Sequence, residues 1–216
     1  MNHYNVILFD LDGTISNPKV GIVTSIQYAL NKMGITESDT KKLELFIGPP
    51  LKDSFAAYYG FKDEKNNQAI QYYREYFAKQ GLFENELYSG FLDLLEDLKQ
   101  QGKKVFVATS KPTVFATRIL EYFRIDHYFD GVVGSELDGT RTSKAEIIEY
   151  IINKYDLNQD SMVMIGDRKY DIVGAKENHI ASIAVTYGYG TLEELTAASP
   201  SYIVHSVKEL HALLTT

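Results

Sequence analysis

Four apolar residues, Val6-Ile7-Leu8-Phe9, run straight into Asp10-Leu11-Asp12-Gly13-Thr14. A short continuous apolar run reads as a strand covered on both faces. Here it stops at two carboxylates one residue apart. In an extended backbone alternate side chains share a side, so Asp10 and Asp12 are expected to face one small volume beyond the strand's carboxyl end. Two like charges that close repel unless a cation or a proton sits between them. Gly13 permits a tight turn or a close approach, and Thr14 adds a hydroxyl.

The chain that follows divides into two patterns. Ile22, Val23, Ile26, Ala29, Leu30 and Met33 recur at helical spacing and Gly34 supplies a stop. Pro50 opens a helix through Tyr59, and a third helix over 65–79 carries Ile70, Tyr73 and Phe77 and stops at Gly81. No convincing strand is expected between Ser16 and Glu86. The eight aromatic residues Phe55, Tyr58, Tyr59, Phe61, Tyr72, Tyr73, Tyr76 and Phe77 serve either to fill a small bundle or as a surface for a flat group, and filling is the expected use.

From Leu87 the period alternates. A helix over 91–98, a strand Lys103-Lys104-Val105-Phe106-Val107-Ala108-Thr109, a helix opened by Pro112 and a strand at Gly131-Val132-Val133-Gly134 come in turn. Ser143 and Glu146 then form a capping box before the apolar positions Ile147, Ile148, Ile151 and Ile152. Met162-Val163-Met164-Ile165 is a buried strand leading to Gly166-Asp167; strands over 180–185 and 202–204 and a last helix after Ser206 complete the series. Such alternation predicts a Rossmann-like, doubly wound parallel α/β sheet, with an inserted helical domain. The expected division is 1–15 with 87–216, and 16–86.

In an open parallel sheet, ligands bind beyond the carboxyl ends of the strands. The chemically interesting residues fall there: Asp10 and Asp12 after the first strand, Thr109 and Ser110 after the next, Lys144 at a helix start, Asp167 after a fourth strand and Asp171 one helical turn on. If the helix begins nearby, Asp167 and Asp171 share a face and its dipole favours them. Oxygen donors without cysteine or a histidine pair select a hard cation, Mg²⁺ first. A carboxylate cluster with one hydroxyl and one ammonium suits a phosphoryl group.

Asp-x-Asp-Gly-Thr, a strand ending in Thr109, Lys144 and Gly166-Asp167-x-x-x-Asp171, in that order, resemble the four motifs of the haloacid dehalogenase superfamily. The helical insertion is similar to its C1 cap, and Thr109-Ser110-Lys111-Pro112 resembles the Thr-Asn-Lys-Pro of the phosphoglycolate phosphatase-like branch. Ala145 after Lys144 departs from that branch's Lys-Pro; with the Gly48-Pro49-Pro50-Leu51 loop it is closer to members predicted to act on nucleoside 5′-monophosphates or general phosphomonoesters. The resemblance implies a Mg²⁺-dependent phosphomonoesterase acting on a small phosphorylated metabolite. Asp10 would be the nucleophile and Asp12 the general acid and base. The metal would be held by Asp10, the Asp12 carbonyl, Asp167 and Asp171, with Thr109, Ser110 and Lys144 on the phosphoryl oxygens. Lys52 and Arg74 are candidate contacts from the cap, and Ser16-Asn17-Pro18 and Glu86-Leu87-Tyr88-Ser89-Gly90 are its hinges.

Composition narrows the partners. A formal charge of -7 over 216 residues, with no basic stripe, argues against a nucleic-acid polymer. No apolar run approaches a membrane span, and no cysteine is present for disulfides or thiolate zinc. Five scattered histidines, His3, His127, His179, His205 and His211, show no metal-ligand spacing. A cytoplasmic monomer or homodimer is expected. Competing readings are a phosphomutase, a receiver-type phospho-accepting domain and a binding protein that has lost catalysis. The 16 tyrosines are not expected to decide anything.

Overall fold

A computed structural model describes residues 4–215; His3 lies outside the described residues. The chain forms two compact units, Met1–Asn17 with Leu87–Thr216, and Pro18–Glu86.

The first unit is built on a six-stranded parallel sheet whose centre is β1 (Val6–Phe9). On one side of β1 lies β4 (Lys104–Pro112), then β5 (Gly131–Ser135). On the other lie β6 (Met162–Gly166), β7 (Ala181–Val185) and β8 (Tyr202–Val204). In register, Phe9 of β1 faces Val107 on one side and Ile165 on the other. A central strand hydrogen-bonded on both edges and covered on both faces must be apolar throughout, and all four residues of β1 are buried.

The two faces alternate as strand geometry requires. Val6 and Leu8 enter a cluster with Met162, Met164 and the Ile147, Ile148 and Ile151 face of α7 (Lys144–Tyr155). Phe9 points the other way, edge-on to Phe91 of α5 (Phe91–Gln100), with ring centroids 5.2 Å apart. Each fully buried side chain of this size contributes roughly 1.5–3 kcal/mol, so β1 is the unit's anchor. The start of α7 is fixed by its capping box: Ser143 Oγ accepts from Glu146 N, and Glu146 Oε2 accepts from Ser143 N.

The second unit is helical. Its main helices are α1 (Lys19–Lys32), α3 (Leu51–Tyr59) and α4 (Asp63–Tyr76), with a short α2 (Thr40–Glu44). Phe46, Phe55, Phe61 and Phe77 are buried. Phe55 stacks on Phe61 with centroids 5.8 Å apart, and Phe46 meets Phe55 edge-on at 5.0 Å. Tyr73 stacks on Phe77. The aromatic residues at the centre of this unit therefore fill its core.

Several elements differ from the sequence reading. The helix read over 65–79 ends as α-helix at Tyr76 and continues as a π-helical turn, Phe77–Gly81, closed by Leu82 N donating to Phe77 O. A Cβ on Gly21 of α1 would overlap the Gly81 carbonyl, so helix and turn meet backbone to backbone. Two-residue strands, β2 (Ser16–Asn17) and β3 (Glu86–Leu87), stand where none was expected, because two residues show no alternation. The unit boundary falls after Asn17 instead of Ile15. α2 and α9 (Leu192–Ala198) each bury a single residue, Leu43 and Leu195, too few for a periodic signal; the caps Asp39 and Thr191 start them. The remaining helices are α6 (Thr113–Phe123), α8 (Lys169–Glu177) and α10 (Val207–Thr215).

Candidate active site at the strand ends

β1 stops at Phe9, so Asp10 and Asp12 stand in the turn beyond it rather than on an extended strand. The turn, and not strand alternation, brings the two near each other: Asp10 is among the charges that push the Asp12 carboxyl up. Asp10 Oδ1 accepts from the backbone N–H of Leu11 at 2.8 Å and lies 2.9 Å from Lys144 Nζ. Asp12 turns to a different cation: its Oδ2 lies 2.8 Å from Lys111 Nζ. Gly13 has φ 85, and a Cβ on it would overlap the Asp167 carboxylate, so only glycine lets this turn close against the site.

Asp167 follows β6 directly. Asp171 occupies the third position of α8, where its Oδ2 accepts from Arg168 N at 3.0 Å. The helix starts at Lys169, so Asp167 precedes it; the two carboxylates meet through the turn and not through a shared helical face. Asp10, Asp167 and Asp171 each offer an oxygen within 4.8 Å of the others, and all three are buried. Lys144 Nζ lies 2.8 Å from Asp171 Oδ1 and donates to the carbonyl of Ala108 at 2.8 Å. One ammonium thus bridges two carboxylates and the residue before Thr109.

Thr109 is buried on β4, and its Oγ1 accepts from Lys111 N at 3.3 Å. Ser110 is half-buried and is tied through its carbonyl to Ser135 Oγ on β5, not to the carboxylates. β4 runs three residues past Thr109, with an irregularity between Ala108 and Pro112. Lys52 and Arg74 belong to the second unit: Lys52 is exposed on α3, and burial lowers the pKa of half-buried Arg74 on α4.

Four carboxylates, Asp10, Asp12, Asp167 and Asp171, are therefore buried with two ammonium groups, Lys111 and Lys144. Burial and the surplus negative charge raise the pKa values of Asp12, Asp167 and Asp171. Burial pushes the Asp167 carboxyl well up, and Asp10 and Asp171 push it further, against a hydrogen bond of 2.7 Å from Tyr189 N. Asp171 is raised to about 6 by burial, opposed by Lys144. Asp12 is raised by burial, opposed by Lys111. Lys144 moves up: burial would lower it, but Asp10 and Asp171 outweigh that. Buried carboxylates that resist ionisation for want of positive charge fit a divalent cation. Asp167 Oδ1, buried and without a hydrogen-bond partner, is an oxygen open to it. The donor set, oxygen only, suits a hard ion such as Mg²⁺.

Residues that the sequence did not assign to the site complete it. Lys111 lies two positions after Thr109 within the irregular stretch of β4, so regular strand alternation does not foretell its pairing with Asp12. Tyr187, Gly188, Tyr189 and Gly190 wrap Asp167, and a Cβ on Gly188 or Gly190 would overlap it. Tyr88 packs edge-on against Tyr187 at 4.9 Å, and Tyr187 Oη donates to Thr14 O at 3.0 Å. Burial, with Asp167 and Asp12 nearby, raises the Tyr88 phenol to about 12. Three of the tyrosines set aside as uninformative thus line this site.

Residues 7–185 match the haloacid dehalogenase-like hydrolase family. The chain belongs to that family. A 5′-nucleotidase of Pseudomonas aeruginosa is 44% identical over 98% of this chain and 96% of its own. Tyrosine-protein kinase PtkA of Mycobacterium tuberculosis is 33% identical over 93% of this chain and 68% of its own. The crystal structure of a predicted phosphatase from Clostridium acetobutylicum superposes with a TM-score of 0.95 at 49% identity, covering 98% of both chains. As a haloacid dehalogenase-like hydrolase the protein is an enzyme of phosphatase type, as the order of its motifs implied. Among the described residues, no helix is long and apolar enough to cross a membrane.

Proposed function

We propose that the protein is a Mg²⁺-dependent phosphomonoesterase that works through an aspartyl phosphate on Asp10. Its substrate is a small phosphorylated metabolite, a nucleoside 5′-monophosphate before phosphoglycolate. The observation that carries the reading is the buried group of Asp10, Asp167 and Asp171, with Lys144 bridging Asp10 and Asp171. Its distances and burial suit a phosphoryl group, and the similarity to a 5′-nucleotidase supports the nucleotide.

In the first step a carboxylate oxygen of Asp10 forms a bond to phosphorus as the ester P–O bond breaks, and Asp12 gives its proton to the leaving oxygen. In the second, Asp12 takes a proton from water as the water oxygen bonds to phosphorus and the Asp10–phosphorus bond breaks. Burial keeps Asp12 protonated more readily than a surface carboxyl, which the first step needs. Thr109 and Lys144 hold the transferring oxygens, beside Ser110, whose carbonyl accepts from Ser135 Oγ. Asp10, the Asp12 carbonyl, Asp167 and Asp171 would hold Mg²⁺, which when bound offsets the carboxylates and the phosphoryl charge. The inserted unit selects the leaving group, with Lys52 and Arg74 as its candidate contacts.

The test is release of inorganic phosphate from nucleoside 5′-monophosphates, phosphoglycolate, sugar phosphates and 4-nitrophenyl phosphate, with Mg²⁺ or with EDTA, beside Asp10→Asn. The expected result is Mg²⁺-dependent release that the variant lacks. Isomerised sugar phosphate without free phosphate would show a mutase instead. No turnover of any ester by the folded protein would overturn the reading.

A further inference from the structure

We infer that Lys111 is a positioning residue that fixes which oxygen of Asp12 delivers the proton to the leaving group; the inference rests on the phosphatase reading above. A carboxyl group has two equivalent oxygens until something holds one of them. Lys111 Nζ holds Oδ2 at 2.8 Å, with both side chains almost wholly buried. Asp12 Oδ1 is also buried and has no hydrogen-bond partner. Oδ1 is therefore the oxygen left for the substrate.

The backbone is built to make this contact. Between Ala108 and Pro112 β4 advances four residues, while its partner β5 advances only two, from Val133 to Ser135. The surplus is a bulge, a feature that re-aims side chains and is frequent beside active sites. A Cβ on Gly134 would overlap the Lys111 carbonyl, so β5 leaves room for the bulge by carrying glycine. Lys111 N donates to Thr109 Oγ1 at 3.3 Å, which ties the lysine to the hydroxyl proposed for the phosphoryl oxygens. Lys144, the other buried lysine, serves Asp10 and Asp171. The two lysines have separate tasks: one holds the nucleophile's side of the site and the other the proton donor.

The test exploits the leaving group. An alkoxide needs a proton to depart, whereas 4-nitrophenolate leaves without one. kcat/KM is measured for Lys111→Met with a nucleoside 5′-monophosphate and with 4-nitrophenyl phosphate. The expected loss is on the order of 30-fold or more for the nucleotide and less than about 5-fold for the activated ester, a fraction of the full general-acid effect. Lys111→Gln, which keeps a donor for Oδ2, is expected to recover part of the selective loss. Equal losses on both esters, in a variant that unfolds at the native denaturant concentration, would overturn the inference. If Lys111→Met unfolds early, Lys111→Gln is judged by the same ratio. Asp12→Asn run alongside separates the two levels. A selective loss there with an equal loss in Lys111→Met sinks the role of Lys111 alone, and an equal loss in Asp12→Asn removes the acid role and this inference together.

Discussion

Around Asp167 the first unit buries four carboxylates and two ammonium groups, whereas around Phe55 the interior of the inserted unit is a set of packed aromatic rings. The rings contribute area and contacts and ask nothing of a ligand. The carboxylates work against the fold: burial and mutual repulsion lift Asp167 and Asp171 above the ordinary carboxylate range. A protein keeps such a cluster only where surrounding structure over-determines it. Here the apolar β1, the Ser143 cap of α7 and the glycines around Asp167 supply that support. The lesson is that one unit is arranged for stability and the other holds a locally unfavourable site for chemistry.

Substitutions should separate the two. The largest effect is expected for Asp10→Asn, a loss of at least about 10³-fold in kcat with the fold intact, read by phosphate release and by denaturant unfolding. Next is Phe55→Ala: truncating a fully buried ring should cost the inserted unit about 3–5 kcal/mol, read by unfolding. If it lowered activity while leaving stability alone, the ring would be a substrate contact and the contrast would break. Asp167→Ala should raise the Mg²⁺ concentration for half-maximal rate by about a hundredfold, because it removes a charged oxygen ligand.

A smaller effect carries a sign opposite to that of an ordinary salt-bridged carboxylate. Asp12, Asp167 and Asp171 hold protons in the native state at pH values where the unfolded chain has released them. Their contribution is therefore fully present below the ordinary carboxylate range and is lost as pH rises through about 6, the folded value of Asp171. Between pH 5.5 and 7.5 in EDTA, stability should fall by on the order of 1–3 kcal/mol. Glu37 and Glu194 shift the opposite way and are already ionised in that window, so they do not mask the trend. Mg²⁺ should flatten it. Asp167→Asn should, in EDTA at pH 7.5, be more stable than the native protein by about 1 kcal/mol, since it relieves a buried repulsion. A native protein whose stability rises with pH across the same window would show the cluster to be paired already, without a metal.

The sequence by itself determined the sheet and the three carboxylates, Asp10, Asp167 and Asp171, that it brings together. The run Val6–Phe9, the alternation after Leu87 and the Ser143–Glu146 box are local signals: burial on two faces, period and cap chemistry act over a few residues and survive in the sequence. Asp10, Asp167 and Asp171 come together in the folded chain because parallel strands end on one side of the sheet. What the tertiary structure alone decided is the pairing within that set. No spacing states that Lys144 bridges Asp10 and Asp171 while Lys111 takes Asp12, because the choice depends on a bulge in β4 and on a glycine across from it in β5. The π-helical turn at Phe77–Gly81 likewise depends on Gly21, distant in sequence, and the tyrosines around Asp167 depend on Gly188 and Gly190 meeting it. Close approach between segments is a property of three-dimensional packing, and a one-dimensional period carries no record of it.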